Sequence, residues 1–120
     1  LFRSNPTSVE AAIDSLSLLN NRRVCILGDM GELGETAAEL HFETGRHAAD
    51  KGIDLIIACG ELSENTAKGT STYGGKALYF KEKSELFAEL PRLIENGDAV
   101  LVKASHSRRF EEIVEALKKL

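Results

Sequence analysis

Four short apolar runs, at residues 24–27, 55–59, 77–80 and 99–102, recur along this chain, each separated from the next by a stretch with helical spacing. Each run has the length of a strand, and Val24, Ile26, Ile56, Ile57, Val100 and Val102 add the β-branched content that strands favour. The runs are nearly continuous in apolar residues rather than alternating, which predicts strands buried on both faces. Between and around them the period changes. Val9, Ile13, Leu16 and Leu19 mark a first helix, with Asn5 as N-cap and Pro6 at its first position. Ala37, Leu40, Thr44 and Ala48 line a second, opened by the capping-box pattern Thr36-x-x-Glu39. Residues 62–68 read as a weaker helix and residues 69–75 as a loop. Leu86, Leu90, Leu93 and Ile94 mark a further helix that Pro91 is expected to kink or split. Phe110, Ile113, Val114 and Leu117 mark the last. The order α-β-α-β-α-β-α-β-α predicts an α/β fold: one Rossmann-like, three-layer domain over residues 1–120, its mostly parallel sheet covered by helices on both faces. No internal repeat, low-complexity tract or linker interrupts it.

Composition removes several classes of function. A formal net charge of -4 argues against a nucleic-acid-binding domain, which would show a basic face. No apolar run approaches the roughly 20 residues that span a bilayer, so no membrane insertion is expected, and the first residues lack a signal-peptide layout. Cys25 and Cys59 each sit inside an apolar run, where free cysteine behaves as a small hydrophobe. A disulfide between them stays open, although two cysteines make no secreted framework, and a cytoplasmic location is expected. The abrupt opening "LFRSNP" reads as a piece of something longer.

In open parallel sheets, ligands bind outside the carboxyl ends of the strands. Two such ends are unusual here. The first carries "GDMGELGE" at residues 28–35. Its glycines are spaced G-x-x-G-x-x-G, whereas the dinucleotide fingerprint needs its second glycine two residues after the first, where Met30 stands. The triphosphate loop G-x-x-x-x-G-K-[ST] is absent from the chain. The glycines also suit a plain tight turn, with Asp29, Glu32 and Glu35 solvated near a helix N-terminus. The second end carries "KASHSRRF" at residues 103–110. Lys103 is a point charge for a carboxylate or phosphate, Ser105 a hydrogen-bond donor ahead of a helix, and Arg108 and Arg109 are bidentate carboxylate binders. A basic surface turn, with Arg109 paired to Glu111 or Glu112, accounts for the same residues. His106 is a candidate ligand contact. His41 and His47, six apart on one helix, do not form a metal pair, and His41 reads as a packing residue. Neither a catalytic residue nor a metal ligand is expected in this chain.

Taken together and in order, "NPTSVEAAID", "ILGDMGELGE", "ELHFETGRHAA" and "LVKASHSRRFEEIVEAL" resemble the carboxyl-terminal domain of the bacterial Mur ligases. Within that family the likeness is to the member that adds D-alanyl-D-alanine to UDP-N-acetylmuramoyl-tripeptide. The resemblance implies a cytoplasmic, three-domain ligase of peptidoglycan synthesis. Its amino-terminal domain would hold the UDP-sugar, and its central domain ATP and Mg2+. This chain would be a fragment lacking both, and inactive alone. It further implies that Lys103 and Ser105 face the dipeptide carboxylate, that the acidic loop with Asp29 and Glu32 faces its ammonium end or shapes the domain interface, and that Asn5 touches the nucleotide. His106 and Arg108 are counted with the substrate-binding residues, Arg108 standing where the family pattern has Met. A Mur-type ligase for another amino acid, and a stand-alone Rossmann-like binding or regulatory module, remain alternatives.

Overall fold

The structure, a computed structural model, describes residues 5–104 and 108–120. Its elements are α1 (Pro6–Ser17), β1 (Arg23–Gly28), α2 (Ala37–Asp50), β2 (Leu55–Cys59), α3 (Ser63–Thr72), β3 (Ala77–Phe80), α4 (Lys83–Leu93), β4 (Ala99–Lys103) and α5 (Arg108–Lys118), with a 3-10 turn at Gly34–Thr36 ahead of α2. The strands form one parallel sheet in the order β3-β2-β1-β4. Val24 lies opposite both Leu55 and Val100, and Leu27 opposite both Ala58 and Lys103.

Alternating side chains of the two central strands feed two separate cores. Val24, Ile26, Leu55, Ile57 and Cys59 pack against Leu86, Leu90 and Leu93 of α4 and Ile113 of α5. Cys25, Leu27 and Ile56 pack on the other face against Val9, Ile13 and Leu16 of α1 and Ala48 of α2. Each such aliphatic side chain contributes roughly 1.5–3 kcal/mol when fully buried. The burial expected of every strand holds for β1 and β2 alone. β3 and β4 are half-buried throughout, because an edge strand lacks a neighbour on one side. The cysteines point into opposite layers, so no disulfide joins them, and both are free thiols. Burial pushes the Cys25 thiol up to about 12 and the Cys59 thiol up to about 11, the second partly offset by the Lys83 ammonium.

At the amino ends of the strands, ion pairs tie the incoming loops. Arg22 meets Asp98 at 2.7 Å, and the Arg23 amide donates to the Asp54 carboxylate at 2.8 Å while its guanidinium reaches the Ser17 and Gly52 carbonyls. That amide, followed by the guanidinium, holds the Asp54 carboxyl below its ordinary value. The carboxyl ends of the strands are left for other work.

Local signals were met unevenly. Asn5 caps α1 as expected, accepting from the Ser8 amide at 2.9 Å, and Ser8 completes a capping box that the sequence reading had not assigned. The Thr36-x-x-Glu39 box does not form. The 3-10 turn leaves Thr36 outside cap geometry, and its hydroxyl turns back to the Leu33 carbonyl at 3.3 Å. Pro91 does not split α4, because it falls in the last turn, where the Ile94 amide still reaches the Leu90 carbonyl at 3.1 Å.

The larger correction concerns residues 69–75, where α3 continues to Thr72 instead of giving way to a loop. Gly69 is a helix-crossing residue. A Cβ there would overlap the Phe42 carbonyl of α2, and a Cβ at Gly45 of α2 would overlap the Thr66 carbonyl of α3. The Thr70 hydroxyl donates to the Gly45 carbonyl at 2.9 Å across the same contact. Backbone meets backbone at this crossing, and only glycine allows it.

In a free helix, Gly→Ala would gain about 1 kcal/mol. Here forced separation of two backbones costs about 1–3 kcal/mol or more. We expect Gly45→Ala and Gly69→Ala each to lower the urea midpoint, and a midpoint equal to or above the unsubstituted chain's would refute the crossing.

Candidate functional site

The chain leaves β1 to build β2 and β3 on one side, then returns to lay β4 on the other. Such a reversal opens a crevice between the carboxyl ends of the two strands where the order changes. Here those strands are β1 and β4. Their ends carry the 28–35 loop and Lys103, the two segments that the sequence singled out. Leu27 and Lys103 are register partners, so the loop begins one residue beyond the strand position opposite Lys103. Lys103 is half-buried and has no ion-pair partner among the described residues. A lysine without an ion-pair partner among the described residues, at such a place, favours an anionic ligand group.

The loop is held from two sides. Asp29 turns toward β2, and its Oδ1 accepts from the Ser63 amide at 2.9 Å and from the Ser63 hydroxyl at 2.7 Å. It thereby caps α3 from another element, where a negative charge suits the helix dipole. Gly60, with φ at +122°, makes room, since a side chain there would overlap the Asp29 carboxylate. The other hold comes from His41 on α2, which is fully buried. Its Nε2 accepts from the Met30 amide at 2.9 Å, and its Nδ1 lies 2.6 Å from the Ala37 carbonyl. An amide can only donate and a carbonyl only accept, so the ring is neutral with its proton on Nδ1. The Met30 side chain is itself buried beside Val9 and Leu27.

Beyond these holds the loop turns outward. Glu32 is exposed with φ at +60°, the one non-glycine in the left-handed region among the described residues. That conformation is uncommon for a side-chain-bearing residue and costs on the order of 1 kcal/mol. Asn5 belongs to the same edge of the sheet. The Arg23 bond to Ser17 fixes the end of α1 at the amino end of β1, and a helix of 12 residues rises about 18 Å. Val9, packed with Leu27 and Met30, shows that its start lies toward the strands' carboxyl ends.

The structure thus brings Lys103, Asp29, Glu32 and Asn5 to one edge, with the Asp29 Oδ1 engaged by Ser63 and the Asn5 side-chain carbonyl engaged in capping. Ser105 and His106 lie outside the described residues. Arg108 opens α5, and its side chain is likewise outside them. His41 is a satisfied interior residue, as its place on the apolar stripe implied. Its link to the Met30 amide was not foreseen, although a buried histidine soon after a glycine-rich loop is a usable signal. His47 faces α1 instead, with Nε2 2.7 Å from Asp14 Oδ1, and this bond leads the causes that hold the Asp14 carboxyl below its ordinary value. Among the described residues no three His, Cys, Asp or Glu side chains gather as a metal site, and no helix is long and apolar enough to cross a membrane. A groove of about 700 Å³ lies elsewhere, between the end of α4, β4 and α5, with Val100, Val102, Val114 and Leu117 among its lining residues.

The fold defines a Rossmann-like parallel α/β domain, with its candidate site at the reversal of strand order. Residues 3–106 match the family described as Mur ligase, glutamate ligase domain, and the chain belongs to that family. It is 34% identical over 118 residues to the UDP-N-acetylmuramoyl-tripeptide--D-alanyl-D-alanine ligase of Escherichia coli K12, covering 97% of this chain and 25% of that protein. Among solved structures, the UDP-N-acetylmuramoylalanyl-D-glutamyl-2,6-diaminopimelate--D-alanyl-D-alanyl ligase of Acinetobacter baumannii matches with a TM-score of 0.83 and 29% identity, over 99% of this chain and 25% of that one. A more distant relative in sequence, MurF ligase from Thermotoga maritima in complex with ADP, shares the fold with a TM-score of 0.75 and 22% identity, over 98% of this chain and 26% of its own. The chain therefore spans about a quarter of the length of the proteins it matches.

Asp29→Ala would leave the Ser63 donors without their acceptor. Loss of a helix cap costs about 1 kcal/mol, so the variant should melt at lower temperature and lose amide-exchange protection at the start of α3. Unchanged protection at Ser63 would show that Asp29 does not hold this helix.

Proposed function

We propose that this chain is the carboxyl-terminal domain of a cytoplasmic, ATP-dependent ligase that joins D-alanyl-D-alanine to UDP-N-acetylmuramoyl-tripeptide in peptidoglycan synthesis, and that its crevice orients the incoming dipeptide. The observation that carries the reading is the juxtaposition of Lys103 with an acidic loop across the reversal between β1 and β4. A dipeptide is a zwitterion, and this crevice offers a cation and carboxylates at neighbouring strand ends. Lys103 suits the dipeptide carboxylate, joined in the proposal by Ser105, His106 and Arg108. Glu32 suits the ammonium end. Asp29 contributes chiefly by its negative field, since its Oδ1 serves α3.

The residues present do not fit a triphosphate with its Mg2+. The loop after β1 is acidic, its Met30 amide is given to His41, and no lysine follows its glycines. ATP, Mg2+ and the UDP-sugar are therefore assigned to parts of the ligase outside this chain, and Asn5 to the edge of the nucleotide. In the proposed reaction, the terminal phosphoryl group of ATP passes to the tripeptide's terminal carboxylate, giving an acyl phosphate and releasing ADP. The dipeptide amine, having lost a proton to solvent, attacks that carbonyl, and the tetrahedral intermediate gives up a second amine proton and expels phosphate to leave an amide. The chain's own part is orientation and exclusion of water. Holding an amine in line with an acyl carbon can supply up to about 7–11 kcal/mol of the barrier, and a covered acyl phosphate is spared hydrolysis.

The test is dipeptide-dependent phosphate release by the full-length protein. A charge-assisted hydrogen bond is worth about 1.5–3 kcal/mol, so Lys103→Ala should raise the KM for D-alanyl-D-alanine about tenfold or more while leaving the KM for ATP unchanged. No dipeptide-dependent release by the unsubstituted full-length protein would overturn the reading.

A further inference from the structure

The 28–35 loop reaches the crevice along a path that its own sequence does not dictate. Gly28, Gly31 and Gly34 leave the backbone free, and Glu32 takes a left-handed conformation that local preference disfavours. Something outside the loop must select this path. Beside the packing of the buried Met30 side chain, two polar contacts lie at its root: the Asp29 carboxylate on Ser63, and the Met30 amide on His41. The first mainly serves α3. The second has no such use, because His41 lies inside α2 and spends its outer nitrogen on an amide eleven residues earlier.

A histidine wholly removed from water is costly unless both nitrogens are paired. A leucine at this place on the stripe would suit the interior at no such cost. Both nitrogens are paired here, and each bond has a direction: Nδ1–H donates to the Ala37 carbonyl at 2.6 Å in the first turn of α2, and Nε2 accepts from the loop at 2.9 Å. The ring thus links the start of α2 to the residue that leads the chain out of β1.

We infer that His41 is a positioning residue for the acceptor crevice: by accepting the Met30 amide it fixes the course of the 28–35 loop, and so the place of the Glu32 carboxylate relative to Lys103. The inference rests on the dipeptide reading of that crevice. His41 touches no reacting atom and transfers no proton. Its work is done through one hydrogen bond, and an acceptor at the same point in space would serve as well.

Two amide variants separate this role from a general need for a polar side chain. Glutamine carries its amide at the depth of Nε2, and asparagine only at the depth of Nδ1. In the full-length protein, His41→Asn should raise the KM for D-alanyl-D-alanine by roughly tenfold, the size of effect that follows from a lost buried hydrogen bond, with the KM for ATP unchanged. His41→Gln should keep the dipeptide KM near that of the unsubstituted protein. Amide exchange at Met30 should be protected in the glutamine variant and lost in the asparagine variant. Equal dipeptide KM values in the two variants overturn the inference, as does a glutamine variant as impaired as the asparagine one. Should His41→Asn fail to fold, the glutamine variant alone still decides, since a raised dipeptide KM with Met30 protection retained contradicts the positioning role. If the unsubstituted protein does not use the dipeptide at all, the functional reading fails instead, a result distinct from any difference between the variants.

Discussion

β1 is the strand on which everything else depends. It pairs on one side with β2 and on the other with β4, and its side chains seed both cores. Because the chain departs from it in one direction and returns on the other side, the carboxyl ends of β1 and β4 cannot be bridged by a short connection between them. The crevice is a consequence of topology before any side chain is considered. What the sequence adds is chemistry of both signs at its two lips: Lys103 on β4 and an acidic, glycine-rich loop on β1.

Much of that acidic loop is committed inward. Asp29 caps α3, Met30 is buried and tied to His41, and Gly60 is left bare so that the carboxylate can approach. These contacts use the loop as a structural junction between β1, α2 and α3, and they leave Glu32 at its exposed turn. A glycine-rich loop after a parallel strand need not cradle phosphate. Here the Met30 amide and the Asp29 carboxylate organise neighbouring elements, and membership of a ligase family whose solved relatives are about four times longer fits a division of labour among domains.

The strands were legible because β-branched and apolar runs of four or five residues have few other fates, and the start of α1 because Asn5 and Pro6 carry a local geometric signal. The crevice was legible for a related reason, since unusual residues after the first and last strands coincide with a general rule about parallel sheets. What local pattern does not carry is chiefly long-range. Residues 69–75 look like a loop by composition, and only the partner helix reveals that Gly69 is a crossing point. Thr36 had the residues of a capping box, yet the preceding turn set its backbone otherwise. Asp29 looked free to meet a ligand until Ser63, 34 positions away, supplied its donors. For Gly69 and Asp29 the missing information was a neighbour in space, which no local pattern carries.

We propose that a zwitterionic dipeptide binds where β1 and β4 end. The most direct test is an amide NMR titration of this chain with D-alanyl-D-alanine at millimolar concentrations, with NAD in a parallel sample. The account predicts saturable shifts confined to the 28–35 loop and to Lys103 and its neighbours, with none from NAD. Shifts from NAD alone at those same residues would contradict it and make the crevice a dinucleotide site.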